Sequence, residues 1–220
     1  MSDITRAVLF VNGEVKDFSR VRSILHPTDV LIAVDGGVNI PQALGLIPHW
    51  LIGDLDSISE QAIQELRNAN VQIRRYPTEK NETDLELAVL HAMELGHTSV
   101  LLVGILGGRT DHALANLFLL EDPRFRNLEL WADDGEVQIH LVVDTLTLHG
   151  SPGDLVSLIP LSDQAETVTT YLLKYPLLAE TLVRWRTRGI SNEMLNDTAI
   201  IKVGSGSLLC IHTRNNKEKE

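Results

Sequence analysis

The sequence predicts an α/β protein, with an N-terminal doubly wound parallel sheet followed by a small C-terminal antiparallel β-sandwich. Up to about residue 130, short apolar runs alternate with segments of helical periodicity, as expected for parallel strands covered on both faces. Beyond residue 133, short strand patterns follow one another without long helices. Turn sequences such as HGSPGD (149–154) and GSGS (204–207) separate these later strands.

The N-terminal half contains alternating strand and helix candidates. The clearest helix follows Thr83, which forms a capping-box pattern with Glu86, and Gly96 provides a suitable stop. The strands are predicted at 7–11, 30–34, 50–52, 72–76, 100–103 and 128–131, and the helices at 19–25, 40–44, 60–68, 84–95 and 111–120.

The C-terminal half is predicted to consist of strands at 136–141, 145–148, 155–159, 166–173, 198–203 and 207–212. We therefore expect a first domain at 1–132 that carries the catalytic site and a β-sandwich domain at 133–214. Residues 215–220 are charged and lack apolar side chains, so a disordered tail is expected there.

Composition excludes several classes of function. The 220-residue chain carries a formal net charge of −11, which argues against general binding to nucleic acid or anionic membranes. No apolar run approaches the roughly 20 residues of a membrane span, and the N-terminus lacks a secretory signal, so a cytoplasmic protein is expected. A single cysteine, Cys210, rules out an intrachain disulfide and reads as a small apolar residue.

Four polar clusters each follow a predicted strand of the N-terminal half. Because the carboxyl ends of parallel strands share one edge, where α/β proteins bind ligands, these clusters predict one common site. They are VDGGVN (34–39), GDLDS (53–57), YPTEKNETD (76–84) and GILGGRTDH (104–112).

The clusters are rich in aspartate. Asp54 and Asp56 lie two residues apart, and on an extended segment such residues project to the same side. Together with Asp84 and Asp111 they are too many carboxylates to remain unpaired in one cleft. Oxygen ligands without an accompanying histidine or cysteine set favour Mg²⁺.

The same edge carries groups suited to phosphate. Arg109 can bind phosphate oxygens as a fork and Lys80 as a point charge, and glycine-rich turns expose backbone N–H donors. These features predict a nucleoside triphosphate site and phosphoryl-type transfer. The sequence contains neither a GxxxxGK[ST] loop nor a GxGxxG fingerprint. His112, at a predicted helix start, has either a chemical role or a capping role.

The ordered motifs DGGVN, P-x-x-LIGDLDS, EKNETDLE and GxLGGRTDH resemble those of the thiamine pyrophosphokinase (thiamin diphosphokinase) family. The segments GDLVSLIPLSD, VTTYLLKYPL, GISNE and GSLLCIH of the C-terminal half are similar to that family too. The resemblance implies a homodimer with thiamine bound between the subunits. It also implies Mg²⁺-dependent transfer of a diphosphoryl group from ATP to the hydroxyethyl oxygen of thiamine, with release of AMP.

Residue chemistry and the resemblance together assign a role to each matching position. The metal ligands are Asp54, Asp56 and Asp84, and the catalytic set adds Arg109 and Asp111. The general base is either Asp84 or Asp111. The nucleotide-binding residues are Asp35, Gly36, Lys80, Thr83, Arg109 and His112, and the thiamine-binding residues are Tyr175, Ser191 and Asn192.

Four positions depart from the family pattern. Asn81 and His49 stand where the family usually has an acid, and Leu172 and Thr167 stand where it has glycine. The last two lie in the presumed thiamine half and motivate an alternative, a pyrophosphokinase acting on another hydroxymethyl heterocycle such as a pterin. A non-catalytic nucleotide- or thiamine-binding regulator is a further alternative, which the large set of carboxylates argues against.

Overall fold

The computed structural model describes residues 6–215 and divides the chain into two compact units, Met1–Gly135 and Glu136–Glu220. The boundary lies three residues after the one expected from the sequence. Residues 133–135 belong to the first unit because the Asp134 carbonyl accepts hydrogen bonds from the N–H groups of Lys16 and Asp17, at 2.9 and 3.2 Å.

The first unit is built on parallel strands, and its strand order confirms the predicted doubly wound sheet. The order β6-β5-β1-β2-β3-β4 reverses direction between β1 and β5, which makes the gap beyond their carboxyl ends a topological switch point. The strands are β1 Arg6–Phe10, β2 Val30–Val34, β3 Trp50–Gly53, β4 Gln72–Arg75, β5 Ser99–Val103 and β6 Glu129–Asp133.

The predicted helices are also present, and side chains cap three of them. Asp17, Ser59 and Thr83 each accept a hydrogen bond from a first-turn N–H, as expected for N-cap residues. The helices are α1 Phe18–Ile24, α2 Asn39–Ala43, α3 Glu60–Asn68, α4 Asp84–Glu94 and α5 Thr110–Leu119, with short 3-10 turns at Asp35–Val38 and Pro123–Phe125 that the sequence did not predict.

The core of this unit explains the apolar strands. Every residue of β5 is buried, and α4 packs against β1, β2 and β3 through its buried face. In contrast, α5 has no buried residue, and Leu114 and Phe118, one turn apart on it, are each 50% exposed. Within residues 6–215, no helix combines the length and apolarity needed to cross a membrane.

The second unit confirms the predicted antiparallel sandwich. Its strands pair antiparallel in the orders β12-β9-β14-β7 and β11-β10-β13-β8. An apolar cluster, which includes the fully buried Cys210, packs between its strands. The strands are β7 Val137–Val142, β8 Thr145–His149, β9 Leu155–Pro160, β10 Gln164–Tyr171, β11 Glu180–Val183, β12 Asn192–Glu193, β13 Thr198–Lys202 and β14 Leu208–Thr213.

The predicted tail begins with an ordered contact. The backbone N–H of Asn215 donates to Asp154 Oδ1 at 2.8 Å, and its side-chain amide donates to the Gly153 carbonyl at 3.2 Å. The remaining residues of that predicted tail, 216–220, lie outside the described part of the chain.

Candidate active site

Three carboxylates converge at the carboxyl ends of β2 and β3. Asp35 directly follows β2, and Asp54 and Asp56 follow β3, and one carboxylate oxygen of each lies within 4.8 Å of the others. The sequence analysis assigned Asp35 to the nucleotide and grouped Asp84 with Asp54 and Asp56. The structure places Asp35 beside the two aspartates of the GDLDS segment. Asp84 lies next to this cluster, because the Lys80 ammonium contacts both Asp84 and Asp54.

The backbone at this cluster is left-handed at two non-glycine residues, Asp35 (φ 46°) and Leu55 (φ 64°). Leu55 is 2% exposed and packs into an apolar cluster of the first unit, so Asp54 and Asp56 are presented on either side of a buried anchor. The segment is thus a turn rather than the extended strand end that the sequence suggested. A Cβ on Gly53 would lie 3.1 Å from Cβ of Asp35, so glycine permits the close approach of the two strand ends.

The cluster is electrostatically unbalanced. The negative charge of Asp54 raises the pKa of Asp56, and burial and Asp35 raise it further. The Ser57 hydroxyl donates to Asp35 Oδ2 at 2.8 Å, but Asp35 Oδ1 is buried and has no hydrogen-bond partner among residues 6–215. A set of oxygen donors that repel each other, one of them unsatisfied, fits a hard divalent cation.

Lys80 neutralises part of this charge. Its ammonium lies 3.0 Å from Asp84 Oδ1 and 3.6 Å from Asp54 Oδ2, and it donates to the Pro77 carbonyl at 3.1 Å. Burial lowers the pKa of Lys80, but the two carboxylates outweigh this effect and the pKa lies above its ordinary value. Burial raises the pKa of Asp84, against the opposing effect of Lys80.

Thr83 has a structural role at this site. Its hydroxyl oxygen accepts a hydrogen bond from the Glu86 N–H at 3.2 Å and caps α4. The cap places Asp84 at the first position of the helix, facing Lys80. The sequence analysis assigned Thr83 to nucleotide binding, which stays a prediction, since the hydroxyl accepts in this cap and can still donate its O–H.

The switch point between β1 and β5 is formed by two closely packed loops. The Glu14 N–H donates to the Leu106 carbonyl at 2.7 Å, and a Cβ on Gly13 would lie 2.2 Å from that same carbonyl oxygen. Gly36 is glycine because a Cβ there would lie 2.7 Å from Asn12 Nδ2. The sequence analysis did not assign the Asn12-Gly13 pair to the site, although its position directly after the first strand was a usable signal.

Arg109 and Asp111 form an exposed fork at the start of α5. Arg109 Nε donates to Asp111 Oδ1 at 3.1 Å and Nη2 donates to Oδ2 at 2.6 Å. The side chains are 72% and 65% exposed, and the hydrogen bonds from Arg109 lower the pKa of Asp111 to about 2. His112 follows in the same exposed first turn. Arg109 therefore has unused N–H donors directed to solvent-accessible space.

The three predicted thiamine residues come together in the second unit. The Tyr175 N–H donates to Asn192 Oδ1 at 3.0 Å, and Asn192 Nδ2 donates to the Tyr175 carbonyl at 2.8 Å. Asn192 is buried and Tyr175 is 55% exposed. Ser191, in the left-handed region at φ 57°, donates its N–H to Ser157 Oγ at 3.0 Å. The amide of Asn192 thus holds the backbone of Tyr175.

Two models of known protein families match consecutive parts of the chain. The model described as "Thiamin pyrophosphokinase, catalytic domain" matches residues 21–132. The model described as "Thiamin pyrophosphokinase, vitamin B1 binding domain" matches residues 143–208. With the two-part fold and the acidic site, these matches define the chain as an ATP-dependent diphosphotransferase.

A relative in sequence defines the family. The thiamine pyrophosphokinase of Bacillus subtilis is 30% identical over 192 residues, which cover 83% of this chain and 86% of the relative. The chain belongs to the thiamine pyrophosphokinase family. This finding confirms the resemblance carried by the DGGVN, GDLDS, ETDLE and GGRTDH motifs.

Solved structures agree on the fold. The crystal structure of the Bacillus subtilis enzyme has a TM-score of 0.84 at 26% identity and covers 96% of this chain and 99% of its own. The thiamin pyrophosphokinase of Geobacillus thermodenitrificans gives 0.83 at 24% identity, with 97% and 99% covered. The yeast enzyme gives 0.77 at 18% identity, with 97% and 87% covered. The last two show the shared fold alone.

Proposed function

We propose that the chain transfers the diphosphoryl group of ATP to the hydroxyethyl oxygen of thiamine, giving thiamine diphosphate and AMP, with Mg²⁺ held by the acidic cluster. The observation that carries this proposal is the convergence of Asp35, Asp54 and Asp56 within 4.8 Å at the carboxyl edge of the sheet. The sequence grouped Asp84 with the metal ligands. The set proposed here is Asp35, Asp54 and Asp56, because their carboxylate oxygens converge, and the assignment of Asp84 as a further ligand stays a prediction.

The donor set fits Mg²⁺. Its atoms are carboxylate oxygens, and the raised pKa of Asp56 reflects a repulsion that a bound cation would relieve. Bound there, Mg²⁺ would supply charge neutralisation for phosphate oxygens and for the leaving group. Asp35 Oδ1 is buried and has no hydrogen-bond partner among the described residues. It can therefore bind a cation without first breaking a hydrogen bond.

The phosphates of ATP are assigned to the loops at the same edge. Lys80 is held between Asp54 and Asp84. From this position its ammonium can contact a phosphate oxygen and still remain close to both carboxylates. Arg109 exposes guanidinium N–H groups at the start of α5, and Gly107 and Gly108 precede it with positive φ values that favour exposed backbone N–H groups.

Asp84 is the general base of this proposal. A base must bind the hydroxyl proton of thiamine, so a carboxylate with a raised pKa is better suited than one with a lowered pKa. Burial raises the pKa of Asp84, whereas Arg109 lowers that of Asp111 to about 2. This difference in pKa favours Asp84 over Asp111, the two general-base candidates that the sequence left open.

Thiamine is assigned to the Tyr175–Asn192 region of a homodimer. Tyr175 presents an exposed ring from a backbone held by Asn192, and aromatic faces attract cationic rings such as the thiazolium. The exposed pair Leu114 and Phe118 on α5 supports a partner subunit, since such pairs are typical of helix faces that pack against another chain. A cytoplasmic location stays a prediction from the N-terminal sequence.

The structure gives no support to the pterin alternative. Thr167 and Leu172, which stand at glycine positions of the family, adopt φ values of 55° and 62°. These are the left-handed conformations that glycine favours, so the backbone that glycine would form is kept despite the changed side chains.

Product analysis tests the proposal. Incubation with ATP, Mg²⁺ and thiamine should yield AMP and thiamine diphosphate in equal amounts, and Asp54→Asn should lower the rate at least about 100-fold at fixed Mg²⁺. Asp163→Asn, an exposed acid of the second unit, is the matched control and should have no effect. Thiamine-dependent release of ADP instead of AMP would contradict the proposed transfer.

A further inference from the structure

A cavity of about 300 Å³ lies at the opposite end of the strands from the acidic cluster. It is bordered by Asp29 and His49, which directly precede β2 and β3. Strands of four to five residues separate it from the acidic cluster, a distance of roughly 15 Å. Its volume is at the lower end of the range for ligand pockets, so it suits a small molecule rather than a nucleotide.

The polar groups of the cavity wall are mainly donors. The backbone N–H of Leu31 donates to His49 Nδ1 at 2.9 Å, so the ring holds its proton on Nε2. His26 Nδ1 lies 2.8 Å from Thr28 Oγ1, and the Thr28 N–H approaches the same nitrogen at 3.4 Å. Arg22 uses Nη1 on the Leu44 carbonyl and keeps its other N–H groups available.

The one acidic residue on the wall is already neutralised. Arg6 Nε and Nη2 donate to the two carboxylate oxygens of Asp29, at 3.0 and 2.6 Å, and the His26 N–H adds a third bond at 2.7 Å. The Asp29 side chain is 2% exposed. Arg22 is therefore the guanidinium on the wall without a carboxylate partner among the described residues, and it carries one positive charge.

The remaining wall is apolar, and it is formed by Leu25, Pro27, Leu31 and Leu46. A wall that combines hydrogen-bond donors with hydrocarbon suits a ligand with an accepting group and an apolar body. A metal ion is not favoured, because the imidazoles and Asp29 are not among the groups of the described chain whose ligand atoms converge closely enough for one.

We infer that this cavity is a second binding site, which takes a small monocarboxylate with an apolar body. One unpaired guanidinium matches one negative charge, and the planar fork of arginine matches the two oxygens of a carboxylate. The inference does not depend on the proposed reaction, because the cavity shares no residue with the acidic cluster or with the Tyr175 region.

Benzoate is a suitable probe, with benzyl alcohol as its uncharged counterpart and inorganic phosphate as an anion without an apolar body. Binding to the full chain is measured by amide chemical shifts, with ATP absent and then present. Benzoate should bind saturably, shift Leu31 and His49, and not be displaced by ATP. Benzyl alcohol and phosphate should each bind at these residues at least about tenfold more weakly.

Variants separate the site from nonspecific binding. Arg22→Gln should weaken benzoate binding at least about tenfold, and His49→Asp, which keeps an acceptor for the Leu31 N–H, should abolish it. Arg67→Gln removes the same charge from α3 and should have no effect. Unchanged thermal midpoints would show that the variants fold.

Three results would overturn the inference. They are no saturable shift at Leu31 and His49, equal binding of benzyl alcohol, and equal loss of binding in Arg67→Gln and Arg22→Gln.

Discussion

Left-handed backbone at non-glycine residues occurs in both proposed functional regions of the chain. Asp35 belongs to the acidic cluster and Leu55 lies between its other two members, while Leu172 and Ser191 flank the Tyr175–Asn192 contact. Such conformations cost about 1–2 kcal/mol per residue, so they persist only where the surrounding structure enforces them. At Leu55 the enforcing contact is the apolar core, which fixes the directions of the aspartates on either side.

Glycine at two of these positions should stabilise the protein. Thr167→Gly and Leu172→Gly each remove a side chain from a left-handed backbone position, where glycine is not strained. The free energy of unfolding should rise by about 0.5–1 kcal/mol in each variant, because the relief of strain exceeds the cost of the larger entropy that glycine has in the unfolded chain. Urea denaturation measures the change. Thr147→Gly, in the regular strand β8, should instead lower stability by about 1 kcal/mol. Equal destabilisation of all three variants would contradict the argument from strain.

His91 should make stability depend on pH. It is 5% exposed, its ring contacts Trp50 edge-on at 4.4 Å, and burial, followed by Arg74, lowers its pKa. The folded protein keeps His91 neutral while the unfolded chain takes up a proton, so this stability is present above about pH 6.5 and declines as the pH falls. Glu94 raises the pKa of His91 and so opposes the effect of burial, whereas His97 lowers that pKa further.

The substitution His91→Phe keeps an aromatic ring against Trp50 but removes the titration. The pH dependence of the unfolding free energy between about pH 7 and 5 should become shallower, by at most about 1.4 kcal/mol per pH unit. His149→Gln, at an exposed position of β8, should leave the wild-type slope in place. Parallel pH curves for wild type and His91→Phe would show that His91 does not titrate differently on folding.

At the scale of elements, apolar periodicity and caps predicted most helices and strands. Helix α3 begins and ends where predicted, and the Thr83–Glu86 pattern correctly marks the start of α4. The strands β11 and β12 were missed. β12 has two residues and is defined by its pairing with β9, a tertiary contact that leaves no periodic signal in the sequence.

The sequence predicted the edge of the sheet at which the acidic site lies, but it did not predict how the carboxylates are arranged there. Parallel strand ends bring Asp35, Asp54 and Asp56 to one edge, and this follows from the strand pattern alone. The left-handed turn at Leu55 and the pairing of Lys80 with Asp84 depend on packing and on charge balance in three dimensions. Sequence reasoning grouped Asp84 with Asp54 and Asp56 but did not predict that Asp35 joins the carboxylates of Asp54 and Asp56.

Asn192 should act on thiamine binding through Tyr175. Asn192→Ala removes two hydrogen bonds to the Tyr175 backbone, each worth about 0.5–1.5 kcal/mol, so KM for thiamine should rise about tenfold. kcat and KM for ATP should stay within about twofold. Steady-state kinetics with each substrate varied in turn measures these values.

Two further variants resolve the role of Asn192. Asn192→Asp keeps the acceptor for the Tyr175 N–H and loses the donor, so an intermediate KM is expected. Asn127→Ala, at an exposed asparagine of the first unit, is the matched control. A fall in kcat with an unchanged KM would show that Asn192 takes part in the chemistry and not in positioning Tyr175.

At the scale of the whole molecule, the chain carries a formal net charge of −11, and three of its carboxylates converge at the strand ends. Carboxylates at the strand ends would hold a metal ion and attract a cationic substrate, while Lys80 and Arg109 supply positive charge for phosphates. In the proposed function the first unit supplies the phosphoryl-transfer groups and the second supplies the Tyr175 region.

The fate of each ATP phosphate tests direct diphosphoryl transfer. With Mg²⁺ and thiamine present, label on the β or γ phosphorus should appear in thiamine diphosphate, and label on the α phosphorus should appear in AMP. Recovery of the α label in ADP, with the γ label alone on thiamine, would contradict attack at the β phosphorus.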